Sequence, residues 1–185
     1  MLYFVPARVY EKSAPFTLQK GHQETILTKF GPAFKIDLKF KLKNLPNEWA
    51  SIFHITIGNN GGTKGDRYPA LFVNKNSYFH FTTCIDDTDN YHKNYDRLSS
   101  TYQNQMYDVT IQQKLIDGKY LYQVIVDGQL FVSKENTKPL VIDEAKLYLS
   151  DPWYDAADVE FLYFRIEYWF VHNSDIGGYI YVTSK

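Results

Sequence analysis

Oxygen-bearing and aromatic side chains gather in three turn-rich stretches of this sequence, and together they have the chemistry to grip a sugar or a hard cation. The first, Asn59-Asn60-Gly61-Gly62-Thr63-Lys64-Gly65-Asp66, runs directly into Arg67. The second, Asp86 to Asp96, holds Asp87, Asp89, Asn90, Tyr91, His92 and Tyr95. The third, Ser150-Asp151-Pro152-Trp153-Tyr154-Asp155, sets two rings beside a proline. Sugar C–H faces pack on aromatic rings while hydroxyls bond to Asp, Asn and Arg. Asp66, Arg67, Asp87, Asp89, Asn90, Tyr91, Trp153 and Tyr154 are therefore the candidate ligand-binding residues. Asp66 and Asp151 are also a candidate pair for Ca2+, which wants several carboxylate and carbonyl oxygens.

Each of these stretches also has a plainer reading. Asp66 and Arg67 would equally form an Asx turn or an internal ion pair that orders the loop. The 86–96 stretch reads as a solvated loop of like charges, and Trp153 as a plug over the end of the core. Trp49 and Trp169 sit beside apolar strand positions and read as core or interface residues. The five histidines are scattered, none within two to five residues of another His and only His80 so placed relative to a Cys, Cys84, so spacing indicates no transition-metal site. His54 and His80 both face away from their apolar neighbours, which would put them on one concave face or leave them as partly buried structural residues.

Catalytic patterns are absent. A sandwich glycosidase needs two acids on one strand face in a Glu-x-Asp-x-(x)-Glu arrangement; the nearest acids, Asp143, Glu144, Asp155, Asp158 and Glu160, lack that spacing. Gly-x-Ser-x-Gly, a phosphate loop and His-Glu-x-x-His do not occur. Cys84 and His80 share a strand face but stand about 13 Å apart at ~3.3 Å per residue, too far to share a proton. No catalytic residue is expected.

The elements that must position these loops are strands. From Phe34 to Lys43 apolar residues occupy every even position and Lys or Asp every odd one, a strict period of two. Alternating runs flank Asp117-Gly118 and Asp127-Gly128, which predicts a three-stranded meander over 107–134, because both central residues of such tight turns need positive φ. Further strands are expected at 52–57, 68–73, 78–84, 146–150 and 159–171. The last is aromatic on both faces and reads as covered twice, in a sandwich interior or an assembly contact. No helical spacing, repeat or linker interrupts this pattern, so the 185 residues are expected to form one all-β domain, a two-sheet antiparallel sandwich.

Composition narrows the partners. Twenty Lys and Arg against 21 Asp and Glu leave a formal charge of −1, with no field to attract a phosphate backbone, so no nucleic acid is expected. Apolar runs are too short for a membrane span. With one cysteine, Cys84, an internal disulfide is excluded. Residues 1–10 lack the basic start and apolar stretch of a secretory signal, and no Asn-x-Ser/Thr sequon occurs.

The order of motifs carries a resemblance. A Phe-x-Ile-x-Leu-x-Phe strand is followed by Trp49–Ile57, a Gly-rich loop, Gly65-Asp66-Arg67-Tyr68-Pro69-Ala70, the Asp-Gly meander and Ser150-Asp151-Pro152-Trp153-Tyr154. Over about residues 15–168 the chain resembles the laminin-G-like branch of the concanavalin-A-like jelly rolls, in particular stand-alone modules of marine invertebrates. The resemblance implies a jelly-roll sandwich, a secreted extracellular setting, and recognition of a glycan or extracellular protein through rim loops, sometimes with calcium. Two other functions stand beside that expectation: self-association into oligomers through the aromatic faces of 161–171, and polysaccharide hydrolysis by a degenerate acid pair.

Overall fold

Alternation of apolar and polar residues builds almost every element of this chain. A computed structural model describes residues 2–4, 8–96, 103–169, 171–173 and 178–179. In chain order the strands are β1 (Leu2–Phe4), β2 (Arg8–Thr17), β3 (Gln23–Phe30), β4 (Ala33–Leu42), β5 (Trp49–Thr56) and β6 (Ala70–Asn74). They continue with β7 (Tyr78–Ile85), β8 (Thr88–Tyr95), β9 (Gln105–Ile116), β10 (Lys119–Val126) and β11 (Gln129–Asn136). The last five are β12 (Ile142–Tyr148), β13 (Asp155–Ala156), β14 (Val159–Trp169), β15 (Val171–Asn173) and β16 (Gly178–Tyr179).

One sheet runs β11-β10-β9-β4-β14-β2 and the other β3-β12-β5-β6-β7-β8, with β13 added in parallel on β5 and all other described pairings antiparallel. A small third sheet joins β1, β15 and β16. The expected all-β, two-sheet antiparallel sandwich is thus the observed one. Phe34, Ile36, Leu38, Phe40 and Leu42 of β4 all point into the space between the sheets, at most 1% exposed, while Lys35, Asp37, Lys39 and Lys41 face out. Rings from the two sheets meet there: Phe40 packs edge-on against Phe79 at 5.6 Å and Phe53 against Phe164 at 5.6 Å. Each such ring removed from water contributes roughly 1.5–3 kcal/mol.

The Asp-Gly turns form as the residue types demand. Asp117 and Gly118 have φ of 49° and 76°, and Asp127 and Gly128 repeat the same values, so β9, β10 and β11 form the predicted meander. Gly31 is also required: at φ 91°, a Cβ there would lie 2.4 Å from the Leu140 carbonyl oxygen.

Two expectations are corrected. The stretch 86–96 is no loop, since only Asp86 and Asp87 turn and Thr88–Tyr95 pairs with β7 as an edge strand. Its period of two is masked by polar residues on the solvent side, while Tyr91 and Tyr95 pack on the core. Among the described residues strand β14, moreover, is covered on one face only. A register shift between Phe161 and Tyr163 brings Phe161, Phe164, Ile166 and Tyr168 to the same buried side. Arg165 and Glu167 face outward with Glu11, and of the strand's rings Phe161, Phe164 and Tyr168 belong to the chain's own core while Tyr163 is half-buried. Trp169 is half-buried, and Phe170, counted with these rings in the sequence, lies outside the described residues.

Candidate functional site

Strand β5 ends at Thr56, whose Oγ accepts hydrogen bonds from Gly58 N (2.9 Å) and Asn59 N (3.1 Å) and so starts the Gly-rich loop. The loop closes when Asp66 Oδ2 accepts from Thr63 N at 2.9 Å and Gly65 N donates to Cys84 Sγ at 3.1 Å. Asp66, which is 1% exposed, thus orders the loop by a bond reaching back three residues, where the sequence allowed an Asx turn to the backbone two residues on. Its product is the placement of Arg67. The guanidinium donates to Asn60 O (2.6 Å), Asn60 Oδ1 (3.2 Å) and Asn90 Oδ1 (3.1 Å), and lies 5.2 Å above the Phe72 ring.

The loop after β12 folds across the same outer face of the β3-to-β8 sheet. Asp151 is buried; one of its oxygens accepts from Trp153 N (3.0 Å) and Tyr154 N (2.9 Å), and the other meets His54 Nδ1 at 2.9 Å. His54 Nε2 reaches the Asp66 carbonyl at 2.5 Å. Both ring nitrogens face acceptors, so one buried imidazole fastens both loops to β5. Trp153 then lies over His54 at 5.4 Å and against Tyr148 at 6.2 Å, while Tyr154 stands edge-on to Phe72 at 5.3 Å and receives a bond from Asn60 Nδ2 at 3.4 Å.

A hollow of ≈ 50 Å³ opens where these parts meet, walled by Trp49, Arg67, Phe72, His80 and Tyr154. Three rings, a guanidinium and an imidazole converge on it. His80 Nδ1 donates to Asn94 Oδ1 at 2.7 Å, and its ring touches Trp49 at 5.1 Å and His92 at 4.9 Å. Burial lowers the His80 pKa below the ordinary imidazole value, assisted by the nearby His92 and Arg67 charges. On the far side of Arg67 a shallower basin of ≈ 370 Å³ is lined by Asn60, Gly61, Gly62, Asp89 and Asn90.

The structure therefore brings Arg67, Asp89, Asn90 and Tyr154 together, with Trp153 on the adjoining part of the face. Asp87 stands apart on the β7–β8 turn, paired with Lys64 at 2.8 Å and with Lys138, and these ammonium groups hold its pKa at about 2. Tyr91 points to the core rather than to the groove. Trp49, Phe72 and His80 were not singled out as ligand-binding residues. Phe72 and His80 are direct register partners on β6 and β7, a relation visible only once those strands are known to pair.

Asp66 and Asp151 do not fit the calcium pair considered for them. They are joined through His54 rather than facing a common centre, and Asp151 accepts three hydrogen bonds. One oxygen, Asp66 Oδ1, is buried without a hydrogen-bond partner, against the roughly six to eight oxygens that calcium takes. Among the described residues no three His, Cys, Asp or Glu side chains gather as a metal cluster, and no helix is long and apolar enough to cross a membrane.

No family profile and no curated protein matches the sequence. The fold does match solved structures. The Ruminococcus gnavus IT-sialidase CBM40 bound to α2,6-sialyllactose superposes with a TM-score of 0.57 at 14% identity, over 91% of this chain and 96% of the module. The receptor-binding domain of botulinum neurotoxin type G gives 0.52 at 14% identity over 89% of this chain, which spans 42% of that domain. Trypanosoma rangeli sialidase in complex with sialic acid gives 0.50 at 17% identity, with this chain spanning 20% of it. At such identities the likeness is one of fold, a jelly-roll sandwich, and nothing more.

Proposed function

We propose that this chain is a non-catalytic glycan-recognition module whose site is the groove formed by Trp49, Arg67, Phe72, His80, Asn90 and Tyr154. The observation that carries the reading is the state of Arg67. Among the described residues, three of its five N–H donors are engaged in the bonds to Asn60 and Asn90, which fix the plane of the guanidinium against Phe72 and leave two to meet a ligand's hydroxyl or carboxylate oxygens. Trp49, Phe72 and Tyr154 supply the apolar wall on which a sugar's C–H face stacks. No carboxylate lines this hollow, whereas glycoside cleavage generally uses two flanking one bond, and this supports binding without turnover. The CBM40 module of the same fold binds a sialylated glycan, which makes α2,6-sialyllactose and lactose the first probes. Calcium has no part in the reading, and the extracellular setting implied by the laminin-G-like resemblance belongs to it.

A printed array of neutral, sialylated and sulfated glycans tests the proposal, with Arg67→Ala and Trp49→Ala beside the native protein and EDTA in a parallel arm. Binding that both substitutions abolish and EDTA leaves intact is the expected result. An array without any bound glycan, or binding indifferent to both substitutions, overturns it.

A further inference from the structure

We infer that the groove takes a glycan of three or more units, lying along the strands, and that the unit at its far end is uncharged; this rests on the glycan-binding reading above. The narrow hollow is not isolated. Arg67 is a wall of both the hollow and the ≈ 370 Å³ basin on the Asn90 side. Trp49 is likewise a wall of both the hollow and a second basin of ≈ 340 Å³, formed with Asn47, Glu48, Asp155 and Asp158. Two wide basins thus open on either side of a narrow aromatic waist, toward opposite ends of the β5–β6 pair, because Trp49 pairs with Asn74 at one end and Arg67 leads into the His54–Ala70 end; the five steps from Trp49 to His54 alone rise about 17 Å at ~3.3 Å each. A single sugar would fill one basin or cover the waist, and leave the rest of the surface to water. A chain of units occupies all three, with the middle unit on the rings, where stacking needs no depth.

The two ends differ in chemistry. The Arg67 end offers guanidinium and amide donors beside Asp89. The Trp49 end carries three carboxylates, each held by one neighbour: Glu48 by Lys75 (2.6 Å), Asp155 by Lys20 (3.0 Å) and Asp158 by Asn44 Nδ2 (2.6 Å). A carboxylate has about four lone-pair sites, so each retains acceptor capacity for sugar hydroxyls. Lys75 and Lys20 offset two of these charges, and the third, on Asp158, has only a neutral partner, so this end keeps a net negative charge that disfavours a carboxylate or sulfate.

The experiment uses arrayed glycans graded from one to six units in neutral, sialylated and sulfated forms, followed by calorimetry on the best series. Affinity is expected to rise about tenfold or more from one unit to three. The double substitution Asp155→Ala/Asp158→Ala should return the longer glycan to the affinity of the shorter one, leave the single sugar unchanged, and admit anionic groups at that end. A single sugar bound as tightly as the longest chain, or a length dependence untouched by the double substitution, overturns the inference while Trp49→Ala still tests the waist. An array with no bound glycan removes both readings together.

Discussion

His54 Nδ1 lies 2.9 Å from Asp151 Oδ2, with both side chains wholly buried. Because His54 also holds the Asp66 carbonyl, this pair is the fastening between two loops separated by more than eighty residues of chain. Asp151→Ala would leave the imidazole and the amides of Trp153 and Tyr154 without their acceptor. Removing one partner of a buried pair costs about 3–5 kcal/mol, so the urea midpoint should fall sharply, with Asp151→Asn in between. A midpoint unchanged in Asp151→Ala would show that the pair does not hold the loops.

Arg67 is expected to separate recognition from stability. Its three described hydrogen bonds go to Asn60 of the Gly-rich loop and to the exposed Asn90 of β8, and an ammonium group at the same place cannot reproduce their planar geometry. Arg67→Lys should therefore lower glycan affinity by about tenfold or more while changing stability by less than about 1 kcal/mol. Calorimetry alongside thermal unfolding distinguishes the two, and a variant that binds as the native protein does would remove Arg67 from the site.

Acid should weaken the groove through His80. Burial, with the charges of His92 and Arg67, holds its pKa below the ordinary value of 6.5, so the fold favours the neutral ring. In the unfolded chain the ring takes up its proton near that ordinary value. Between the two values the unfolded state binds more protons, so this contribution to stability is present above about pH 6.5 and is lost as pH falls through the folded pKa. A protonated His80 would also set a second cation beside Arg67 at the aromatic waist. Stability should decline from neutral pH toward about pH 5 in the native protein, and less steeply in His80→Gln. Equal slopes in the two proteins would show that another group governs the acid response.

The parts of this molecule that were legible in the sequence are those decided by neighbouring residues. Alternation over Phe34–Lys43 and the Asp-Gly pairs determine a strand and two turns within a few positions, and they form as expected. Arg67, Asp89, Asn90 and Tyr154 were reachable because turn-forming residues around them marked exposed chemistry. What stayed hidden depends on which strands lie side by side. Trp49 joins the groove only because β5 to β7 bring it against His80, and a shift in pairing between Ser51 and Phe53 alters the parity along β5. Asp66 and Asp151 looked like rim carboxylates because nothing local says that His54 will lie between them. Tyr91 was misplaced for the opposite reason: a polar edge strand resembles a loop when its one buried face carries only two rings.

Cys84 offers a test of whether the Gly-rich loop is held as described. Its sulfur accepts from Gly65 N at 3.1 Å and lies 3.4 Å from the Arg67 carbonyl and 3.3 Å from that of Asp89, so it anchors the loop to the start of β8. Burial raises the thiol pKa, and the Asp89 and Asp66 charges push the same way, which keeps the sulfur protonated and a poor nucleophile near neutral pH. A thiol reagent should therefore label the native protein slower than the denatured chain by on the order of 100-fold or more, the rate reporting local opening of the loop. Gly65→Ala should raise that rate, because Gly65 has φ of 94° and a Cβ there would stand 2.9 Å from Ile57 Cγ2, so the loop must shift off its anchor. Native labelling as fast as denatured labelling would mean that the sulfur is not enclosed, and that the loop presenting Arg67 is held by something other than Cys84.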